Sequence, residues 1–250
     1  MEWYMYPAVV LVGITAGFIN TLAGGGSALS LPMLIFLGLP ANMANGTNRI
    51  AILLQNMVGT SGYRREKVLD LRKGWVMGTA ALLGAIPGAL FAISLDELLM
   101  RKIIGGVLVV MLILVVFKPG IWLKTKAGKP IVSNKIFSFL VFFLIGVYGG
   151  FIQAGVGFFL LAALVLLEGM DLVRSNAVKV FIILMYTPIA LLIFILNHQV
   201  DYKLGLLLAV GNMTGAWIGS KVAVSWGPKF IRWILMFALV ISILKLFDVF

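Results

Sequence analysis

Two glycine clusters are the residues of this 250-residue chain best placed to bind a solute. Gly24-Gly25-Gly26 interrupts one apolar run, and Gly155-Val156-Gly157 interrupts another. Glycine permits tight turns and lets a ligand approach backbone N–H groups closely. A helix that begins after such a turn directs free N–H groups and a partial positive charge at the break. Two such ends facing each other would suit an anion, whereas glycines inside long apolar runs serve close helix packing.

Polar residues follow each glycine cluster. Asn45-Gly46-Thr47-Asn48-Arg49 opens the next apolar element, and Asn176-Ala177-Val178-Lys179 occupies the corresponding place in the second half. The amides and hydroxyl could donate hydrogen bonds to an oxyanion, or could cap the helix and bond to neighbouring helices. Lys179 could neutralise a bound anion, or could extend to a cytoplasmic interface. The candidate solute-binding residues are Asn20, Gly24, Gly25, Gly26, Ser27, Asn45, Thr47, Asn48, Gln153, Gly155, Gly157, Asn176 and Lys179.

The composition is that of a membrane protein. Hydrophobic residues make up 62% of the chain and charged residues 12%, with a mean hydropathy of +1.09. A soluble domain averages about 45–50% apolar and about 25% charged residues. The net charge of +11 comes from bases that cluster in short loops, as the positive-inside rule predicts, and does not indicate a nucleic-acid partner. The chain contains no cysteine, which excludes disulfide and thiolate chemistry.

Each half of the chain has the same order of apolar runs. A pair of shorter runs separated by glycines comes first, at 7–22 and 27–38 and again at 136–152 and 158–167. Three runs long enough to cross a bilayer follow, at 44–62, 74–95 and 99–117 and at 177–196, 204–223 and 230–247. We predict an all-α integral membrane protein in which each half has a glycine-broken or re-entrant helix pair plus three spanning helices.

The two halves align without gaps at an offset of 131 residues. Asn45 matches Asn176, and the scarce residue types Asp and Arg also match, at Asp70/Asp201 and Arg101/Arg232. This predicts a first repeat at 1–117, a basic cytoplasmic linker at 118–135 and a second repeat at 136–250.

Loop charge predicts that the repeats are inverted. The loop at 64–73 is strongly basic, whereas the equivalent loop at 195–204 is nearly neutral. The positive-inside rule places them on opposite faces of the bilayer. We therefore expect a multi-pass protein of the plasma membrane with an odd number of crossings in each half.

The first glycine motif, with Ser27–Pro32 after it and then Gly46-Thr47-Asn48, resembles the TauE/SafE family of sulfite and organosulfonate exporters. The resemblance covers essentially the whole chain and implies a membrane transporter for small sulfur-containing or similar anions. Ala177-Val178-Lys179 departs from the small-Thr-Ser-like sequence that members often carry there. The added cation could favour a more highly charged or carboxylate-bearing anion.

The function expected from these patterns is secondary transport of a small anion such as sulfite or an organosulfonate, as exporter or facilitator. Inverted repeats with broken helices indicate alternating access around a site near the bilayer midplane. A passive anion channel is the closer alternative. A membrane-embedded enzyme is the more distant one, because the sequence lacks metal-ligand spacings and paired buried carboxylates. We expect neither a cofactor nor a bound metal. The expected partners are the anionic solute and the lipid bilayer, and the protein could also form a homo-oligomer.

Overall fold

The computed structural model describes residues 5–22, 24–117 and 134–222. These residues form nine α-helices and contain no strand, which confirms the all-α class for this part of the chain. The helices are α1 Met5–Leu22, α2 Ser27–Phe36, α3 Ala41–Arg65, α4 Leu71–Ser94, α5 Glu97–Phe117, α6 Lys135–Phe151, α7 Val156–Leu166, α8 Leu172–Leu196 and α9 Tyr202–Val222. Most of the predicted linker at 118–135 and the predicted run at 230–247 lie outside the described residues.

Three of the described helices, α1, α4 and α8, are long and apolar enough to cross a membrane. The helix α3 has 25 residues, enough to cross, but it is not among the apolar helices. Its buried polar side chains include the amides of Gln55 and Asn56 and the guanidinium group of Arg49. Much of the polarity of α3 therefore faces the interior of the protein, whereas Arg64 and Arg65 in its last turn are exposed.

Both predicted helix breaks are present. The first separates α1 from α2, which has 10 residues, and the second separates α6 from α7, which has 11 residues. Gly24 and Gly155 have φ values of +87° and +74°, in the left-handed region that favours glycine. At a rise of about 1.5 Å per residue, α2 and α7 are too short to cross a bilayer.

Backbone features of the first half recur 131 residues later. The 25-residue helix α3 begins at Ala41, and the 25-residue helix α8 begins at Leu172. The described residues with positive φ also fall into pairs at this offset, namely Gly24 and Gly155, Gly38 and Gly169, and Lys67 and His198.

The helices pack in equivalent pairs. α1 packs along α9, and α4 packs along α6, which is the same pairing shifted by one half of the chain. Glycines bring the backbones together, since a Cβ atom at Gly17 would lie 2.2 Å from the Asn212 carbonyl oxygen. A Cβ atom at Gly84 would lie 2.0 Å from the Phe143 carbonyl oxygen. α3 and α8 contact each other between these pairs and position the interior residues described next.

Candidate functional site

The two helix breaks meet inside the protein. The backbones of Gly24 and Gly157 are in contact, so that a Cβ atom added at either residue would lie 2.4 Å from the Cα atom of the other. Both residues are buried. The two helix breaks, each marked in the sequence by a glycine cluster, are therefore adjacent. Only glycine fits at their contact.

A narrow cavity lies beside this contact, with room for about one water molecule. Two α3 amides, Gln55 and Asn56, contribute to its wall together with residues from both breaks and from α8. The full lining is Asn20, Gly24, Ser27, Ile52, Gln55, Asn56, Gln153, Val156 and Ile183. Four of these, Asn20, Gly24, Ser27 and Gln153, are among the residues predicted from the sequence.

Amide groups on the first-half side of the cavity form a hydrogen-bonded network. Asn20 Nδ2 donates to Gln55 Oε1 at 3.2 Å, and Asn20 Oδ1 accepts from the backbone N–H of Gly26 at 2.7 Å. Asn212 Nδ2 of α9 donates to the same Gln55 oxygen at 3.1 Å. Asn56 Oδ1 is buried and has no hydrogen-bond partner within the described part of the chain. The network places several amide groups, which can donate or accept hydrogen bonds, at the cavity wall.

The C-terminal end of α1 is capped by a lysine from the other half. The last carbonyl groups of a helix have no partner within the helix. Lys179 Nζ, from α8, donates to the carbonyl oxygens of Asn20 at 3.0 Å and Thr21 at 3.3 Å. It also donates to the side-chain oxygen of Asn176 at 2.7 Å. The ammonium group thus satisfies helix carbonyls and does not extend to a cytoplasmic interface, because Lys179 is 0% exposed.

An arginine caps α6 in the same manner. Arg49, from α3, donates to the carbonyl oxygens of Gly149 at 3.1 Å, Gly150 at 2.5 Å and Phe151 at 3.4 Å. It also donates to Oε1 of Gln153, a cavity-lining residue, at 3.2 Å. Each broken helix therefore ends on a cation supplied by the other half of the chain.

These two cations make the interior electropositive. Arg49 and Lys179 are both 0% exposed, and the buried polar side chains of the described segments include no aspartate or glutamate. No carboxylate in those segments forms an ion pair with either cation. A buried charge is costly unless it is compensated, and the partial negative charge of a helix C-terminus compensates only part of it.

Other predicted site residues lie off the cavity lining and connect helices. Asn45 Nδ2 donates to the Phe151 carbonyl oxygen at 2.8 Å, and Asn48 Oδ1 accepts from Ser30 Oγ at 2.7 Å. Thr47 Oγ1 accepts from the backbone N–H of Asp201 at 2.9 Å. These contacts match the capping and interhelical alternative for this stretch. The remaining predicted residues are Gly25, Gly26, Gly155 and Gly157, which form the breaks, and Asn176 and Lys179, which bond to each other.

Sequence reasoning missed the residues deeper in α3. Gln55 and Asn56 are amides within an apolar run, where polar side chains often mark a site. Tyr186 lies 131 residues after Gln55, and the two residues have parallel roles. Gln55 accepts from Asn20 at one break, whereas Tyr186 accepts from Gln153 Nε2 at the other, at 2.9 Å. Applying the offset to amides in mid-helix would have found this pair.

Comparison with known proteins identifies the family of this chain. The sulfite exporter TauE/SafE family matches residues 9–246. The chain belongs to the TauE/SafE family. The resemblance inferred from the glycine motif is thereby confirmed.

Relatives of this TauE/SafE protein are described as membrane transporters. A "probable membrane transporter protein" of Haemophilus influenzae is 28% identical over 221 residues, which cover 88% of this chain and 86% of the relative. YfcA of Escherichia coli is 28% identical over 243 residues, 95% of this chain and 88% of YfcA. YjnA of Bacillus subtilis is 24% identical over 260 residues, 97% of this chain and 100% of YjnA. No solved structure matches the chain significantly. Family and relatives indicate that this TauE/SafE protein is a membrane transporter.

Proposed function

We propose that this protein is a secondary transporter that exports or facilitates the movement of a small anion such as sulfite or an organosulfonate. The supporting observation is the cavity at the two helix breaks, whose lining residues Gln153 and Asn20 bond to the buried cations Arg49 and Lys179. The described residues include no buried carboxylate. Two buried cations that helix carbonyls compensate only in part attract a negatively charged solute in a low-dielectric interior.

The cavity wall offers suitable donors for such a solute. Asn20, Gln55 and Gln153 carry amide groups there, and Ser27 carries a hydroxyl group. Hydrogen bonds to an ionised acceptor are about twice as strong as bonds between neutral groups. An oxyanion can therefore replace Gln55 Oε1 as the acceptor of the Asn20 amide hydrogen bond at a net gain. Because the cavity is narrow, the two breaks have to separate slightly as the solute enters.

Lys179 acts on the solute through its charge rather than through contact. Its ammonium group is bound to two carbonyl oxygens and to Asn176 Oδ1. Any preference of the site for a more highly charged anion would therefore come from the electrostatic potential of Lys179 and not from a direct ion pair with the solute.

Inverted repeats and alternating access complete the proposal. Lys67 and His198 hold the same place after α3 and α8, with φ of 56° at both. The first loop contains Arg64, Arg65 and Lys67, whereas the second contains one histidine and no Lys or Arg before Lys203. The positive-inside rule favours opposite faces of the plasma membrane for these equivalent loops. Equivalent loops on opposite faces favour repeats of opposite orientation, which would rock about a central site in a multi-pass protein.

Transport by purified protein in liposomes tests the proposal. We expect labelled sulfite to accumulate by counterflow when the lumen contains excess unlabelled sulfite, and the initial rate to saturate. A channel would give flux without accelerated counterflow. Absence of sulfite and sulfonate flux above empty liposomes would contradict the anion assignment.

A further inference from the structure

The end of α1 surrounds the Lys179 ammonium group with three oxygens. Two are the carbonyl oxygens of Asn20 and Thr21, at 3.0 and 3.3 Å, and the third is Oδ1 of Asn176 at 2.7 Å. They come from both halves of the chain, since Asn176 lies on α8 and the other two residues lie on α1. All three oxygens are uncharged, and the side chain that they enclose is 0% exposed.

Such a group of oxygens is suited to a small cation. In transporters with broken helices, the C-terminal carbonyls of half-helices coordinate the Na⁺ ions or protons that are coupled to the solute. Carbonyl oxygens can replace the hydration shell of a monovalent ion. A lysine ammonium group has the same charge and the same requirement for oxygen ligands, but it is attached to the chain.

We propose that the end of α1 is a monovalent-cation site that this chain fills permanently with the ammonium group of Lys179. The same principle holds at the end of α6, where Arg49 occupies the carbonyls of Gly149, Gly150 and Phe151. The carbonyl oxygens that end the two broken helices, α1 and α6, are therefore occupied by side chains. No Na⁺ or K⁺ is required at either end to hold the breaks together.

The consequence for transport rests on the proposed function, whereas the cation site itself does not. A tethered cation stays in the protein when the anion leaves. Anion transport should therefore proceed at the same rate when Na⁺ is replaced by a large organic cation on both sides of the membrane.

Removal of the ammonium group tests the site without any anionic solute. In Lys179→Ala the three oxygens remain and space is opened for an ion, whereas in Lys179→Met an apolar chain of similar length fills that space. Unfolding temperatures of purified wild type and variants are compared in NaCl, KCl and N-methyl-D-glucamine chloride at equal ionic strength. Lys203→Ala is the matched control, because this exposed lysine contacts Tyr6 and caps no helix end.

We expect both Lys179 variants to unfold at lower temperature than wild type in N-methyl-D-glucamine chloride. Na⁺ or K⁺ should raise the unfolding temperature of Lys179→Ala by about 2–4 °C, as ligand binding to the folded state requires. Wild type, Lys179→Met and Lys203→Ala should not respond. If Lys179→Ala does not yield folded protein, Lys179→Ser replaces it, because its hydroxyl supplies a hydrogen-bonding group and leaves the same space.

Two results would overturn the proposal. One is a small-residue variant at Lys179 whose unfolding temperature is the same in all three salts, which would mean that the oxygens bind no ion. The other is a wild-type protein that is itself stabilised by Na⁺ or K⁺ over N-methyl-D-glucamine, since a filled site has no room for one. Neither readout depends on whether sulfite binds, so the cation site and the transport function can fail separately.

Discussion

The helices α3 and α8 hold equivalent places in the two halves, have the same length and pack against each other, yet they bury different side chains. α3 contributes Ile52, Gln55 and Asn56 to the cavity, whereas α8 contributes only Ile183. The buried polar residues of α3 are Asn45, Thr47, Asn48, Arg49, Gln55 and Asn56, and those of α8 are Ser175, Lys179 and Thr187.

Two helices with matching backbones therefore contribute unequally to the cavity wall. Each central helix keeps one cation that caps the broken helix of the other half, although the two cations are offset by one residue. Lys179 corresponds to Asn48, and Arg49 corresponds to Val180. Structural capping is thus retained in both halves, while the polar wall of the cavity is concentrated on α3. Substitutions at equivalent positions should therefore have unequal effects.

The largest loss of stability is expected for Arg49→Ala. It would leave up to three buried carbonyls without this partner and remove a donor to Gln153, which should lower the free energy of unfolding by about 3–5 kcal/mol. Lys179→Ala removes only two carbonyl contacts and should cost less. Arg49→Lys should recover part of the loss, because an ammonium group lacks the planar fork of five donors. Thermal unfolding in detergent measures all three, and a greater loss for Lys179→Ala would contradict this order.

Gly24→Ala should cost about 3 kcal/mol or more, because its Cβ atom would lie 2.4 Å from backbone of the other break. Gly38→Ala is the matched control. Gly38 also has a positive φ, of +92°, but a Cβ atom there would meet nothing within 4 Å. The control should therefore show only the cost of left-handed strain, about 1–2 kcal/mol. Equal losses in chemical denaturation would mean that contact between the breaks is unimportant.

A smaller and functional effect is expected at Gln55 and its equivalent, Tyr186. Gln55→Leu removes a polar group of the cavity wall and should weaken sulfite binding about tenfold, which is about 1.4 kcal/mol. Tyr186→Phe acts only through Gln153 and should weaken it by a smaller factor. Asn48→Ala, on the same helix but off the cavity, serves as the control in equilibrium binding. Similar weakening by Asn48→Ala and Gln55→Leu would argue against a site at this cavity.

The smallest effect on stability is expected at Lys67 and His198, two equivalent positions with the same backbone conformation. Lys67 and His198 both have φ of 56°, which a side chain disfavours. Glycine at either position relieves the left-handed strain but gives the unfolded chain more conformational entropy. The net result should be a rise of about 0.5 kcal/mol in the free energy of unfolding. Changes of opposite sign in paired thermal unfolding curves would mean that the two loops are not structurally equivalent.

Within the described residues, the sequence predicts the helices and the two breaks between them. Glycine at Gly24 and Gly155 marks positions where other residues would be strained, and the 131-residue offset relates the two halves. Asn20, Ser27 and Gln153 were found because they lie next to those breaks.

The caps and the cavity depth could not be predicted in this way. Arg49 contacts α6 about 100 residues away, and a single sequence does not reveal which helix end faces which side chain. The polar residues at the start of α3 could bind solute or bond to neighbouring helices, and the sequence alone favours neither; Asn45 donates to the carbonyl oxygen of Phe151 at the end of α6. Gln55, almost three turns further along, lines the cavity because the breaks contact α3 at that depth.

Binding of methanesulfonate compared with methanesulfonamide tests the electropositive cavity most directly. The two molecules have nearly the same shape, but only the first carries a charge at neutral pH. We predict that methanesulfonate raises the unfolding temperature of the purified wild-type protein in a saturable manner, while methanesulfonamide at equal concentration does not. Equal stabilisation by both molecules, or stabilisation by neither methanesulfonate nor sulfite, would contradict an anion site between the two helix breaks.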